Sequence, residues 1–150
     1  MNGIFEHTVT VYNRRFAEII NPPFPPARRI GFERTVIKGV MWKDRSHAET
    51  VSDGATVIER TVSVTIPLEA DQSGKEYIRP AVYAEQDEGK YWTIGTDAAN
   101  SDIIVLGEGP EINEIYTVEN LERDFKHMRP RAVKDSSGQN VLPQWKAEGV

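Results

Sequence analysis

Residues 55–68, ATVIERTVSVTIPL, alternate between two kinds of side chain. Ile58, Val62, Val64, Ile66 and Leu68 share one face, and Glu59, Thr61, Ser63 and Thr65 share the other. Successive strand side chains point to opposite faces, so such a run buries one side and wets the other. Arg60 is the single charge in the apolar register. The run also exceeds the usual strand length of about 5–6 residues. A chain built around it is a β protein first.

The rest of the sequence fits that frame. HTVTVYN sets Val9 and Val11 opposite Thr8, Thr10 and Tyr12. RTVIKGVMWKDR is rich in β-branched and aromatic residues, with Gly39 placed for a bulge or bend. Asp53-Gly54 is a strong turn signal between that strand and residues 55–68, which predicts a long antiparallel hairpin. AVYAEQDEGKYWTIG predicts strand, turn, strand about Asp87–Gly89. EADQSGKEYIRP is polar and predicts a loop, SDIIVLGE a short strand, and residues 131–149 a final hairpin about Ser137-Gly138. Residues 117–128 hold the one good helix pattern, with Thr117 as cap and Val118, Leu121 and Phe125 at helical spacing. Trp42, Trp92 and Trp145 fall within strand patterns and belong to the core.

Residues 21–29, NPPFPPARR, carry four prolines around Phe24. Proline fixes φ and lacks an N–H, so this stretch predicts an extended loop outside any sheet. The expected fold is all-β: a small antiparallel barrel or sandwich of about seven strands with one short helix and extended loops. The 150 residues form one domain, with the proline-rich loop at 21–29 and a helix–hairpin extension at 117–150.

The chemistry of catalysis is thin. The chain has no cysteine, which removes disulfides, thiolate nucleophiles and cysteine metal sites together. His7, His47 and His127 make no H-x-x-H or H-E-x-x-H pair. The acidic stretches AEQDEGK and GEGPEINE lack EF-hand spacing, no phosphate-loop motif follows a glycine, and no G-x-S-x-G elbow occurs. No catalytic, metal or cofactor residue is therefore expected. The net charge of −5 disfavours tight non-specific nucleic-acid binding. No window approaches the roughly 20 apolar residues of a membrane-spanning helix, and the N-terminus lacks a signal-peptide pattern, so a soluble chain made in the cytoplasm is expected. A β scaffold with a proline-rich arm and few reactive groups suits a protein that works by contact.

Residues 39–68 and 77–108 carry a more specific pattern. A first strand holds Val9 and Val11, a second centres on Trp42, a long alternating strand spans Val62 to Leu68, and Tyr91-Trp92-Thr93-Ile94 follows a turn. In this order the chain resembles the head–tail joining proteins of tailed bacteriophages, also called head-completion, head-closure or stopper proteins, over roughly residues 5–108. The resemblance implies a structural protein, not an enzyme, located in the virion neck. It would form a ring, a hexamer or dodecamer, below the portal or adaptor protein and above the tail proteins. Genomic DNA would pass through the lumen without sequence recognition, with no membrane involved. A tail-completion or tail-terminator protein is the alternative, and a small β-barrel ligand-binding protein or enzyme a more distant one. The residues expected to touch neighbouring subunits or partners are Pro22, Phe24, Pro25, Arg28, Arg29, Asp53 and Trp145.

Overall fold

Val62, Val64 and Ile66 are fully buried, and with them the alternating run becomes the wall of a barrel. The structure, a computed structural model, describes residues 5–20, 27–50, 52–85, 89–97, 102–138 and 143–150. Its strands are β1 (His7–Ile20), β2 (Ala27–Thr50), β3 (Thr56–Pro67), β4 (Glu76–Tyr77), β5 (Tyr91–Trp92), β6 (Ile103–Leu106), β7 (His127–Met128), β8 (Pro130–Asp135) and β9 (Gln144–Gly149). The described residues also include two helices, α1 (Pro80–Tyr83) and α2 (Val118–Asp124). Among the described residues no helix is long and apolar enough to cross a membrane.

Seven strands form one antiparallel sheet in the order β7-β6-β1-β2-β3-β9-β8. Its two edge strands are consecutive in the chain, separated only by Arg129, so the sheet curls until its edges nearly meet. Closure of this kind removes most of the unpaired edge that an open sheet would expose. Inward-facing residues from every wall fill the interior, among them Val9, Ile37, Trp42, Val64, Ile104 and Trp145. The small parallel pair β4–β5 adds Tyr77 and Trp92 to that interior. Their rings pack edge-on at 5.0 Å between centroids, and both lie against Trp145, at 4.8 Å and 5.6 Å.

A second cluster lies outside the barrel. Tyr12, Ile103 and Val105 face outward from β1 and β6 and are covered by Leu121 of α2. β1 is therefore buried on both sides over residues 9–12. Thr117 caps α2 in a reciprocal capping box with Asn120, whose side chain accepts from the Thr117 N–H at 3.0 Å.

The all-β expectation holds, as does the hairpin turn at Asp53-Gly54, where Gly54 has φ +86°. Gly39 is the predicted bulge. His7 pairs with Val40 and Thr8 with Lys38, leaving Gly39 unopposed at φ +87°.

Several expectations are corrected. Residues 27–29 are not loop: β2 begins at Ala27, since prolines bar a strand only where they stand. Residues 81–83, expected as strand, belong to the helical turn α1, because Pro80 takes the first helical position, where an N–H is not needed. The polar stretch 69–80 contains β4. The second helix stops at Asp124, and His127 pairs with Val105 as part of β7. Leu68 is 44 % exposed, one residue past the end of β3. β7, β8 and β9 are barrel wall, not an extension, since β9 pairs with β3 and turns Trp145 and Ala147 inward.

Candidate functional site

β2 is 24 residues long, up to about 80 Å of extended backbone. Only its middle is needed for the barrel. Toward its N-terminus it pairs with β1 as far as Ile20↔Ala27, whereas β6 leaves β1 at Tyr12. Toward its C-terminus it pairs with β3 as far as Thr50↔Thr56, whereas β9 leaves β3 at Val62. One strand thus carries two hairpin ribbons out of opposite ends of the barrel. An isolated two-stranded ribbon is marginal in water, so each needs bracing.

Side chains brace the root of the first ribbon where β6 ends. The buried Asp102 carboxylate accepts the Arg14 N–H at 2.9 Å, taking over from a departing ladder strand. It also accepts from Asn13 Nδ2 at 2.8 Å and from the Gly95 N–H at 2.7 Å. Asn13 completes the lock by donating to the Thr93 carbonyl and accepting from the Thr93 N–H. Burial raises the Asp102 carboxyl above the ordinary aspartate range, and the three donations oppose that rise. Gly95 is required here, because a Cβ would stand 2.8 Å from Asp102 Oδ2.

A second brace holds α1 against the same ribbon. Arg15 lies over the Tyr83 ring at 4.0 Å and reaches Glu33 Oε1 at 2.6 Å. The Tyr83 hydroxyl donates to Glu33 Oε2 at 2.6 Å and accepts from Arg15 Nε at 3.1 Å. Burial, then the Glu33 carboxylate, push that hydroxyl above the ordinary tyrosine range. Between the braces lies a cleft of about 370 Å³ whose walls include Arg14, Tyr83, Thr96 and Asp102. Tyr83 and Asp102 are both engaged in holding the ribbon. Among the described residues no three His, Asp or Glu side chains converge to hold a metal ion.

The second ribbon is more open. Arg60, the charge in the apolar register, forms a two-pronged pair with Asp44 across the ribbon, at 3.1 Å and 2.8 Å. Asp53 sits exposed at its tip, where Oδ1 accepts the Ala55 N–H at 2.9 Å.

The expected contact residues divide. Pro22, Phe24 and Pro25 lie outside the described residues, between β1 and β2. Arg28 and Arg29 belong to β2 near the far end of the first ribbon, opposite Ile19 in the case of Arg28. Asp53 is at the opposite tip. Trp145 does not join them: it is 4 % exposed, because its register with Ile66 turns it into the barrel. The bracing residues Asn13, Glu33, Tyr83 and Asp102 were not singled out from sequence. Polar residues at strand ends were the only hint, and nothing in their spacing pairs positions 13 and 102.

A nearly closed antiparallel barrel with a ribbon leaving each end defines the class of protein by architecture. The chain belongs to a family of unknown function, DUF6751, whose model matches residues 4–150. No curated protein and no solved structure matches it.

Proposed function

We propose that this chain is a structural neck protein of a tailed bacteriophage, joining head to tail and closing the DNA exit channel as a ring of identical subunits. The observation that carries the proposal is the 24-residue β2, shared by two hairpins that leave the barrel at opposite ends. A subunit of a connector must hold its neighbours in the ring and also meet different proteins above and below. A rigid barrel with an arm at each end suits those demands, and the braces at Asp102 and Tyr83 tie down the root of the first arm. The sequence resemblance over residues 5–108 supports the same reading. Portal or adaptor would meet one end, tail proteins the other, and DNA would cross the lumen.

The test uses DNA-filled heads made without this chain. Adding the purified protein should raise the fraction of heads that retain DNA and accept tails. Equal retention and joining with and without it would overturn head closure. Heads that retain DNA without the protein, but whose tails need it to attach, would favour tail completion instead.

A further inference from the structure

We infer that successive copies of this chain dock head to tail, the acidic segment 107–120 of one copy seating on the basic outer face of β2, β3, β9 and β8 of the next. The inference rests on the assembly proposed above and supplies its subunit interface.

Segment 107–120 contains Glu108, Glu111, Glu114 and Glu119 and no Lys, Arg or His. All four carboxylates are on exposed residues. The segment is held firmly on β1 and β2: Tyr12 donates to the Pro110 carbonyl at 2.7 Å, and Thr10 Oγ1 bridges the Gly107 carbonyl and the Gly109 N–H. Asn113 Oδ1 accepts the N–H groups of Ile115 and Tyr116, both at 2.8 Å, and so shapes a tight turn. That turn presents Ile115, 92 % exposed, to solvent. A fixed turn displaying an isoleucine among carboxylates is a pre-ordered knob, and pre-ordering lowers the entropy lost on docking.

The matching surface lies across the barrel. Lys43 and Arg45 of β2, Lys146 of β9 and Lys134 of β8 stand on the outer side, where Lys146 pairs with Glu148 at 3.5 Å, and the register continues that side to Glu59 toward the ribbon tip. The face is concave, a hollow of about 570 Å³ whose lining includes the half-buried Met41 and the buried Thr65. It offers cations at the rim and some apolar surface below, the complement of the knob. Placement suits a ring as well. With β7 and β8 consecutive through Arg129, β6, which carries the acidic side, and β3, at the centre of the basic side, lie across the sheet's circuit from one another. Contacts between different patches on opposite sides generate rings when the rotation closes. In a chain of net charge −5 the segregation also makes the contact salt-sensitive, because exposed charges are screened beyond about 8 Å at physiological ionic strength.

The test measures the mass of the full-length protein in solution. The wild type should assemble at low ionic strength and dissociate toward about 1 M salt. Glu111→Lys/Glu114→Lys should be monomeric, and so should Lys43→Glu/Arg45→Glu, each with unchanged thermal unfolding. Mixing the two variants should restore assembly, since each reversed face then meets a reversed partner. Assembly of the wild type and of both variants alike would overturn this interface while leaving the ring proposal standing. Loss in both variants without rescue on mixing would also overturn it. A wild type monomeric at every salt and protein concentration would overturn the interface and the ring together.

Discussion

Arg129 and Val150 exchange two backbone hydrogen bonds, at 3.0 Å and 3.3 Å, and so fasten the last residue to the corner where β7 becomes β8. Gly149 fits beside that corner only because it lacks a side chain. A Cβ there would strike the Arg129 carbonyl and crowd Pro130. Gly149→Ala should therefore destabilise the barrel by about 1–3 kcal/mol, as overpacking does. At this size each 1 kcal/mol lowers Tm by about 2–4 °C. Gly138→Ala, at an open position in the β8–β9 turn, is the control and should leave Tm nearly unchanged. Equal melting of the two variants would contradict closure at Arg129.

Val64 is fully buried between Trp42 and Ala147, its register partners on β2 and β9. Val64→Asp should cost roughly 3–5 kcal/mol, because the carboxylate would be buried without a partner. Chemical denaturation of the purified variant checks this, and an unchanged midpoint would exclude Val64 from the core.

Asp102 makes stability depend on pH in an uncommon direction for a carboxylate. Its folded pKa is raised above the unfolded value of 3.8, so the folded state holds the proton more tightly. The associated stability is fully present below pH 3.8 and is lost as pH rises through the raised folded value. The wild-type advantage over Asp102→Asn should shrink across that acidic window, read from urea midpoints at a series of pH values. An advantage that grows with pH would mean that the three hydrogen bonds outweigh burial.

Tyr83 ties α1 to the first ribbon through Glu33 and Arg15. Tyr83→Phe keeps the ring under Arg15 and removes the hydroxyl, a loss of about 1 kcal/mol. Amide exchange should quicken at Arg15–Ile20 and stay unchanged at the barrel amides of Val62–Ile66. Uniform exchange throughout would remove Tyr83 from the brace.

Strands with a strict two-residue period were legible in sequence, because that period reports burial on one face. Val62, Val64 and Ile66 are the clearest case, and the Asp53-Gly54 turn fixes the register of their hairpin. Residues 81–83 read as strand in sequence because three apolar residues carry no usable period, and Pro80 decides the local geometry. The sequence pattern assigns Trp145 both to the core and to the contacts. Only its pairing with Ile66 resolves the matter, and pairing between positions so distant is not written in either segment. The same holds for the braces: Asn13 and Asp102 meet because β1 lies beside β6. The acidic segment is visible as composition, whereas the basic face emerges only when β2, β3, β9 and β8 are laid side by side.

Imaging the assembled wild-type protein end-on by electron microscopy tests the proposed function most directly. The expected averages show a closed ring of cyclic symmetry, six-fold or twelve-fold, around an open channel wide enough for duplex DNA. Two-fold dimers, open filaments or a filled centre would contradict a neck ring.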